Sequence, residues 1–276
     1  MRQISAAKIK NIVSRLAIQA NSVLRDDIVA RLKKAYLGES NKFAKDALLA
    51  ILKNAEVAKF EQLAICQDTG LPCVFVEIGQ DVRVKGNLKK AIHEGVEMGY
   101  KKGFLRNSVV PDPLLRGVTG FAPAVVHFDI IAGDKIKLTV MPKGFGCENK
   151  TQLKMFKPTA GIEEIKEFIV SAVKSAGPDA CPPYTVGVGI GGTADYACYL
   201  AKKALLRMGL SSKGTVHNLE RDLLEKINKL KIGPMGLGGK DTCLSVNIET
   251  YPTHIAGLPV CVNISCHALR SASAVI

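Results

Sequence analysis

The sequence predicts an α+β protein, on three observations. Residues 4–60 carry apolar side chains at helical spacing. Two strand-like runs flank a glycine turn at Ala132-Gly133-Asp134. The C-terminal part alternates further amphipathic helices with short β-branched strands. The expected architecture is a single domain over residues 1–276, with a helical N-terminal lobe (about 1–60) packed on a mixed α/β body (about 61–276) that contains at least one antiparallel hairpin.

Three helices are expected before residue 60. Ile9, Ile12, Val13 and Leu16 mark the buried face of the first, and Ile28, Leu32 and Ala35 that of the second. Leu48, Ile51, Leu52 and Ala55 mark the third, for which Ser40 and Asn41 offer caps. Cys73-Val74-Phe75-Val76 is strand-like, residues 86–103 read as a helix, and the stretch NSVVPDPLLRGVTGFAP is irregular. VVHFDII and KIKLTVM then form the expected hairpin, with one face buried and one wet. Helices follow over 161–176, 194–208 and 217–230, and strands at YTVGVGIGG, CLSVNIET and LPVCVNISCH.

A chain of 276 residues buries roughly three quarters of its unfolded surface. Trp is absent, so aliphatic packing carries the core. Apolar runs fall short of the ~20 residues a membrane span needs, and the N-terminus lacks the apolar stretch of a signal peptide. Eight cysteines without such a signal argue for a reducing, cytoplasmic setting, where clustered thiols mean metal or catalysis more often than disulfides. The net charge of +13 is spread through helices without a run of five basic residues, which argues against nucleic acid. A solvated basic surface is the plain reading, and a field that steers anionic small molecules is the functional one.

Two glycine segments invite a nucleotide reading. Gly187-Val188-Gly189-Ile190-Gly191-Gly192 satisfies G-x-G-x-x-G between a strand and a helix, yet LLRMGLSSKG stands where an acidic strand end belongs. A tight strand-to-helix turn explains it better than NAD. GPMGLGGKDT fails as a phosphate loop, because Pro234 stands at its first glycine and Asp241 follows Lys240.

The cysteines divide by setting. Cys73, Cys243 and Cys261 lie in strand-like runs and Cys198 in a helix, as small buried hydrophobes. Cys261, Cys266 and His267 make a weak C-x4-C-H alternative. Cys66 (CQDTG), Cys147 (KGFGCENKT) and Cys181 (DACPPYT) lie in turns beside Gly, Pro or polar residues. Physics alone says only that three loop thiols can converge.

ICQDTG, PKGFGCENKT, ACPPYTVGVGIGGT and IGPMGLGGKDT occur in this order over most of the chain. Together they resemble the α subunit, or N-terminal domain, of the iron–sulfur (class I) fumarate hydratases and their L-tartrate dehydratase relatives. The resemblance implies a [4Fe–4S] cluster held by Cys66, Cys147 and Cys181, with one iron left open for substrate. Single-chain members carry the middle cysteine before the glycines, where this chain has Val140; the tartrate dehydratase α subunits carry it after them, as Cys147 stands here.

An open iron is a Lewis acid for a substrate hydroxyl and carboxylate. Gln67 and Asp68, next to the first ligand, are therefore the expected catalytic and substrate-binding residues. Arg106 resembles the family's carboxylate-binding arginine in location, with Arg116 as the second candidate. Lys143, Asn149 and Lys150 frame the second ligand.

In single-chain relatives a second domain closes over the cluster. The resemblance therefore implies a separate β subunit here, meeting the α subunit near CQDTG, Arg106, Leu71 and Phe145. It also implies a homodimer of α or an α2β2 assembly, a dicarboxylate substrate, and interconversion of fumarate and (S)-malate in the tricarboxylic acid cycle. L-Tartrate dehydration is the alternative within the class. A non-catalytic iron–sulfur or zinc protein is the alternative outside it, and the acid beside Cys66 argues against that reading.

Overall fold

The computed structural model describes residues 1–207 and 214–276. The chain begins with β1 (Arg2–Ser5), α1 (Ala6–Ser22), α2 (Asp26–Gly38) and α3 (Lys42–Glu61). It continues through β2 (Leu71–Gly79), β3 (Val82–Lys85), α4 (Leu88–Lys102), β4 (Val125–Ile131), β5 (Ile136–Lys143), the short α5 (Phe145–Glu148) and β6 (Gln152–Phe156). α6 (Ile162–Ala176), β7 (Tyr184–Gly191), α7 (Ala194–Ala204), α8 (Thr215–Asn228), β8 (Cys243–Tyr251), β9 (Leu258–Ser265) and β10 (Ala272–Val275) complete it. The class is α+β with mixed sheets, as the sequence predicts. The chain divides into two units: Met1–Arg25, Asn54–Phe145 and Arg270–Ile276 form one, Asp26–Lys53 and Gly146–Leu269 the other.

The first unit is built on a four-stranded sheet of order β10-β5-β2-β4. β2 pairs antiparallel with β5 on one side and parallel with β4 on the other. The expected hairpin between residues 125–131 and 136–143 is therefore corrected: both runs are strands, but β2 lies between them. Cys73, Val74, Phe75 and Val76 of β2 are all buried, so that strand has no face to give to water and takes the inner position. β5 is buried almost throughout, while β4 is partly exposed at the edge. α1 and α4 cover the sheet, packing Ile9, Val13, Leu16, Ile92 and Val96 on Val74, Val76, Leu138 and Val140. Each such side chain contributes about 1.5–3 kcal/mol by leaving water. Ser5 Oγ accepts from Lys8 N to start α1, and Asn87 Oδ1 accepts from Lys90 N to start α4.

The second unit has a sheet of order β6-β9-β7-β8. α6 and α8 pack Ile165, Ile169, Leu219 and Leu223 on Val186, Val188, Val246 and Val262. α7 covers the other face through Ala197 and Ala201. A Cβ at Gly187 or Gly189 would run into the carbonyls of Ala201 and Ala197. The G-x-G-x-x-G glycines thus let a helix close on a strand, which is the tight-turn reading. α7 ends at Ala204; residue 208 of the expected helix, and part of LLRMGLSSKG, lie outside the described residues.

In the same unit Glu39 accepts from the backbone N–H groups of Ser40, Asn41 and Lys240 at 2.8, 2.8 and 2.7 Å. Asn41 caps α3 by accepting from Ala44 N, and it donates to Leu237 O. The GLGGKD loop is therefore held by a buried carboxylate of this chain. Among the described residues no helix is long and apolar enough to cross a membrane.

Candidate active site

Antiparallel pairing of β2 with β5 sets Leu71 opposite Lys143. The loop that enters β2 and the loop that leaves β5 consequently lie at the same end of the first unit's sheet. Asp68 joins them. Its Oδ1 accepts from Gly70 N at 2.9 Å and its Oδ2 from Phe145 N at 2.8 Å. A Cβ at Gly144 would stand 3.3 Å from Asp68 Oδ2, a tight contact that the carboxylate would have to yield to.

Three buried side chains hold this loop from beneath. Arg270 donates through Nη2 to Asp68 O at 2.8 Å and through Nη1 to Asn21 Oδ1 at 3.1 Å. Tyr100 donates to Thr69 O at 2.8 Å, and burial pushes its hydroxyl far above its ordinary pKa, which keeps it a donor. Thr69 Oγ1 accepts from Arg106 N at 3.0 Å. Cys66 is half-buried, and its thiol lies 3.4 Å from Gln67 Oε1. Cys66, Gln67, Asp68 and Arg106 are thus brought to one loop cluster, with Gln67 and Arg106 exposed. Arg116 belongs to a different feature, an exposed turn closed by Arg116 N donating to Asp112 O, and has a φ of 68°. Lys143 is buried at the end of β5.

In the second unit Cys147 sits in α5, buried, with its thiol donating to Ala180 O at 3.3 Å. Cys181 follows Ala180 directly in a left-handed conformation, φ 56°. Its carbonyl lies 3.2 Å from both His267 N and His267 Nδ1. Burial first, then the neighbouring Cys147 and Cys181 thiols, push the Tyr184 hydroxyl up. Asn149 is exposed, and Lys150 pairs with Asp179 at 3.5 Å.

Cys266, one residue before His267, packs against the core that contains Cys147. Cys73 and Cys243 are buried in strands, and burial pushes the Cys243 thiol up to about 12. Cys261 is buried beside Cys198 against α7, so the C-x4-C-H alternative is divided between the sheet interior and the Cys181 turn.

Among the described residues no three His, Cys, Asp or Glu side chains form a group that could hold a metal ion. Cys66 belongs to the first unit, and Cys147 and Cys181 to the second. Thiols are the ligands an iron–sulfur cluster takes, and in the second unit the Cys147 thiol reaches the carbonyl just before Cys181.

Sequence reasoning missed Arg270 and Tyr100, and it singled out His267 only within the C-x4-C-H alternative. Arg270 follows in an unremarkable ALRSA segment, and Tyr100 reads as one more apolar helix position.

The loop before β2 thus gathers a thiol, an amide, a carboxylate and an arginine. The fumarate hydratase (Fumerase) family pattern matches residues 10–275. A protein of Methanocaldococcus jannaschii provisionally named L(+)-tartrate dehydratase subunit alpha is 43% identical over 275 residues, covering 96% of each chain. The L(+)-tartrate dehydratase subunit alpha of Escherichia coli, in strains UTI89 and K12, is 30% identical over 279 residues, covering 98% of this chain and 91% of its own. The chain belongs to the fumarate hydratase (Fumerase) family of hydro-lyases.

Proposed function

We propose that this chain is the α subunit of a hydro-lyase that interconverts fumarate and (S)-malate, with a separately encoded β subunit completing the site. The observation that carries the reading is the Asp68 carboxylate, fixed by two backbone amides and two residues along the chain from Cys66. Cys66, Cys147 and Cys181 would hold a [4Fe–4S] cluster. When bound, the cluster supplies a Lewis acid toward the substrate hydroxyl and carboxylate.

The chain's own residues do the rest. Each Asp68 oxygen accepts one amide hydrogen and retains a lone pair, so either can take and return the hydroxyl proton. Gln67 is exposed beside it and orients the substrate through its side-chain amide. Arg106, pinned through its backbone to Thr69, offers a guanidinium to the far carboxylate. Arg116, in the separate turn closed on Asp112, is the second candidate cation for the same dianion. Phe145, 45% exposed, provides apolar surface for the β subunit to cover.

A second reading, L-tartrate dehydration, is favoured by the names of the relatives. The two reactions share this chemistry and differ in the groups that surround the substrate.

The test is anaerobic reconstitution of α alone, β alone and the mixture, each assayed with fumarate, (S)-malate and L-tartrate. Turnover is expected only in the mixture, with fumarate and malate preferred. Full turnover by α alone overturns the two-subunit reading. Turnover of tartrate alone overturns the fumarate assignment, and inactivity toward all three overturns the hydro-lyase proposal for this chain.

A further inference from the structure

We infer that Glu148 is a positioning residue for the Cys147 thiol, acting through Lys202 of α7 and Asn263 of β9. This deepens the proposed function, since it rests on Cys147 as a ligand. α5 is a single turn of four residues and has no helical stability of its own. Something else must hold the thiol where a ligand is needed.

Glu148, the residue after Cys147, reaches into the second unit. Its Oε1 lies 2.5 Å from Lys202 Nζ, and its Oε2 accepts from Asn263 Nδ2 at 2.9 Å. The same Asn263 nitrogen lies 2.8 Å from Thr151 Oγ1, and Thr151 Oγ1 donates back to Glu148 O at 2.7 Å. Lys150 N closes the turn on Cys147 O at 3.0 Å.

The anchors are stiff. Asn263 is 1% exposed within β9, and the Lys202 side chain is 17% exposed on α7, which is packed on β7. A carboxylate held by an ammonium and an amide on two separate elements fixes both the height and the rotation of the turn that carries Cys147. The thiol then points at Ala180 O, next to Cys181. Asn263 donates to Thr151 of the same turn as well as to Glu148, so the turn is held at two residues, one of them adjacent to the thiol.

The experiment reads the thiol directly in the metal-free chain, without substrate. Iodoacetamide labelling is followed cysteine by cysteine by mass spectrometry, for the parent and for Glu148→Ala, Glu148→Gln and Lys202→Gln. Losing one or two charge-assisted hydrogen bonds should raise the Cys147 rate by a factor of about 10 to 100 in Glu148→Ala. Lys202→Gln should raise the Cys147 rate as well, and Glu148→Gln, which keeps one acceptor, should fall between parent and Glu148→Ala. Cys181 and Cys243 should stay at their parent rates. Iron bound on reconstitution should fall with the Cys147 rate.

An unchanged Cys147 rate in folded Glu148→Ala overturns the inference, as does an equal rise at Cys243. If Glu148→Ala does not fold by circular dichroism, Lys202→Gln decides on the same readout. If the parent binds no iron while the labelling pattern holds, the cluster reading fails and the positioning role stands.

Discussion

Asp68 carries two duties at the same atoms. Its oxygens tie the loop before β2 to the residue after Gly144, and they are also the groups proposed to move a proton. Asp68→Asn preserves shape but sets an amide donor against one of two backbone donors. Turnover of the complete complex is expected to fall by a factor on the order of 10² to 10⁴, the range for losing an acid–base group. Iron content, measured beside it, should remain near that of the parent, since all three thiols are untouched. Near-normal turnover would show that Asp68 only shapes the turn. Arg270 explains why that turn is rigid: a buried guanidinium holds the Asp68 carbonyl from one side and Asn21 from the other.

Among the elements, the GLGGKD loop shows how a glycine-rich segment that resembles a ligand cradle is bound by the chain itself. Glu39 takes its amides. Burial raises the Glu39 pKa, but the backbone N–H groups of Lys240, Asn41 and Ser40 outweigh it and hold the carboxyl below its ordinary 4.5. A depressed folded-state pKa gives stability that is fully present above the ordinary value and lost as pH falls through the lower one. Glu39→Gln should therefore cost about 1–3 kcal/mol at pH 7, read as a lowered Tm. The gap between variant and parent should narrow as pH drops below 4.5. A gap that is constant with pH would mean that the charge contributes nothing. Burial, followed by the Glu39 charge, raises the pKa of neighbouring Asp241.

For the whole molecule, Cys66 belongs to the first unit and Cys147 and Cys181 belong to the second. The chain leaves the first unit between Phe145 and Gly146, just before Cys147, and returns to it at Arg270, shortly after His267. Serine at any one of the three positions should abolish the broad visible absorption of the anaerobically reconstituted protein. Serine at Cys73, Cys198, Cys243, Cys261 or Cys266 should leave it. A full cluster in Cys147→Ser would remove that residue from the ligand set.

Periodicity alone settled the α+β class and the helix faces, because burial at 3.6-residue or two-residue spacing is written locally; Ile9, Val13, Ile28, Leu32 and Leu48 are all buried as expected. The four motifs pointed to the family for a similar reason: each is a contiguous string whose chemistry is compressed into a few residues. Strand partners were not legible. Val125–Ile131 and Ile136–Lys143 are neighbours in sequence, and alternation marks each as a strand without naming its partner, so only folding shows β2 between them. Short β1, β3, β6 and β10 carry too few residues for a pattern. The supports of the candidate site were equally hidden. Arg270 meets Asp68, Lys202 meets Glu148 and Asn263 meets Thr151 only because sheets and helices bring distant segments within hydrogen-bond reach, and such pairing leaves no local trace in the order of residues.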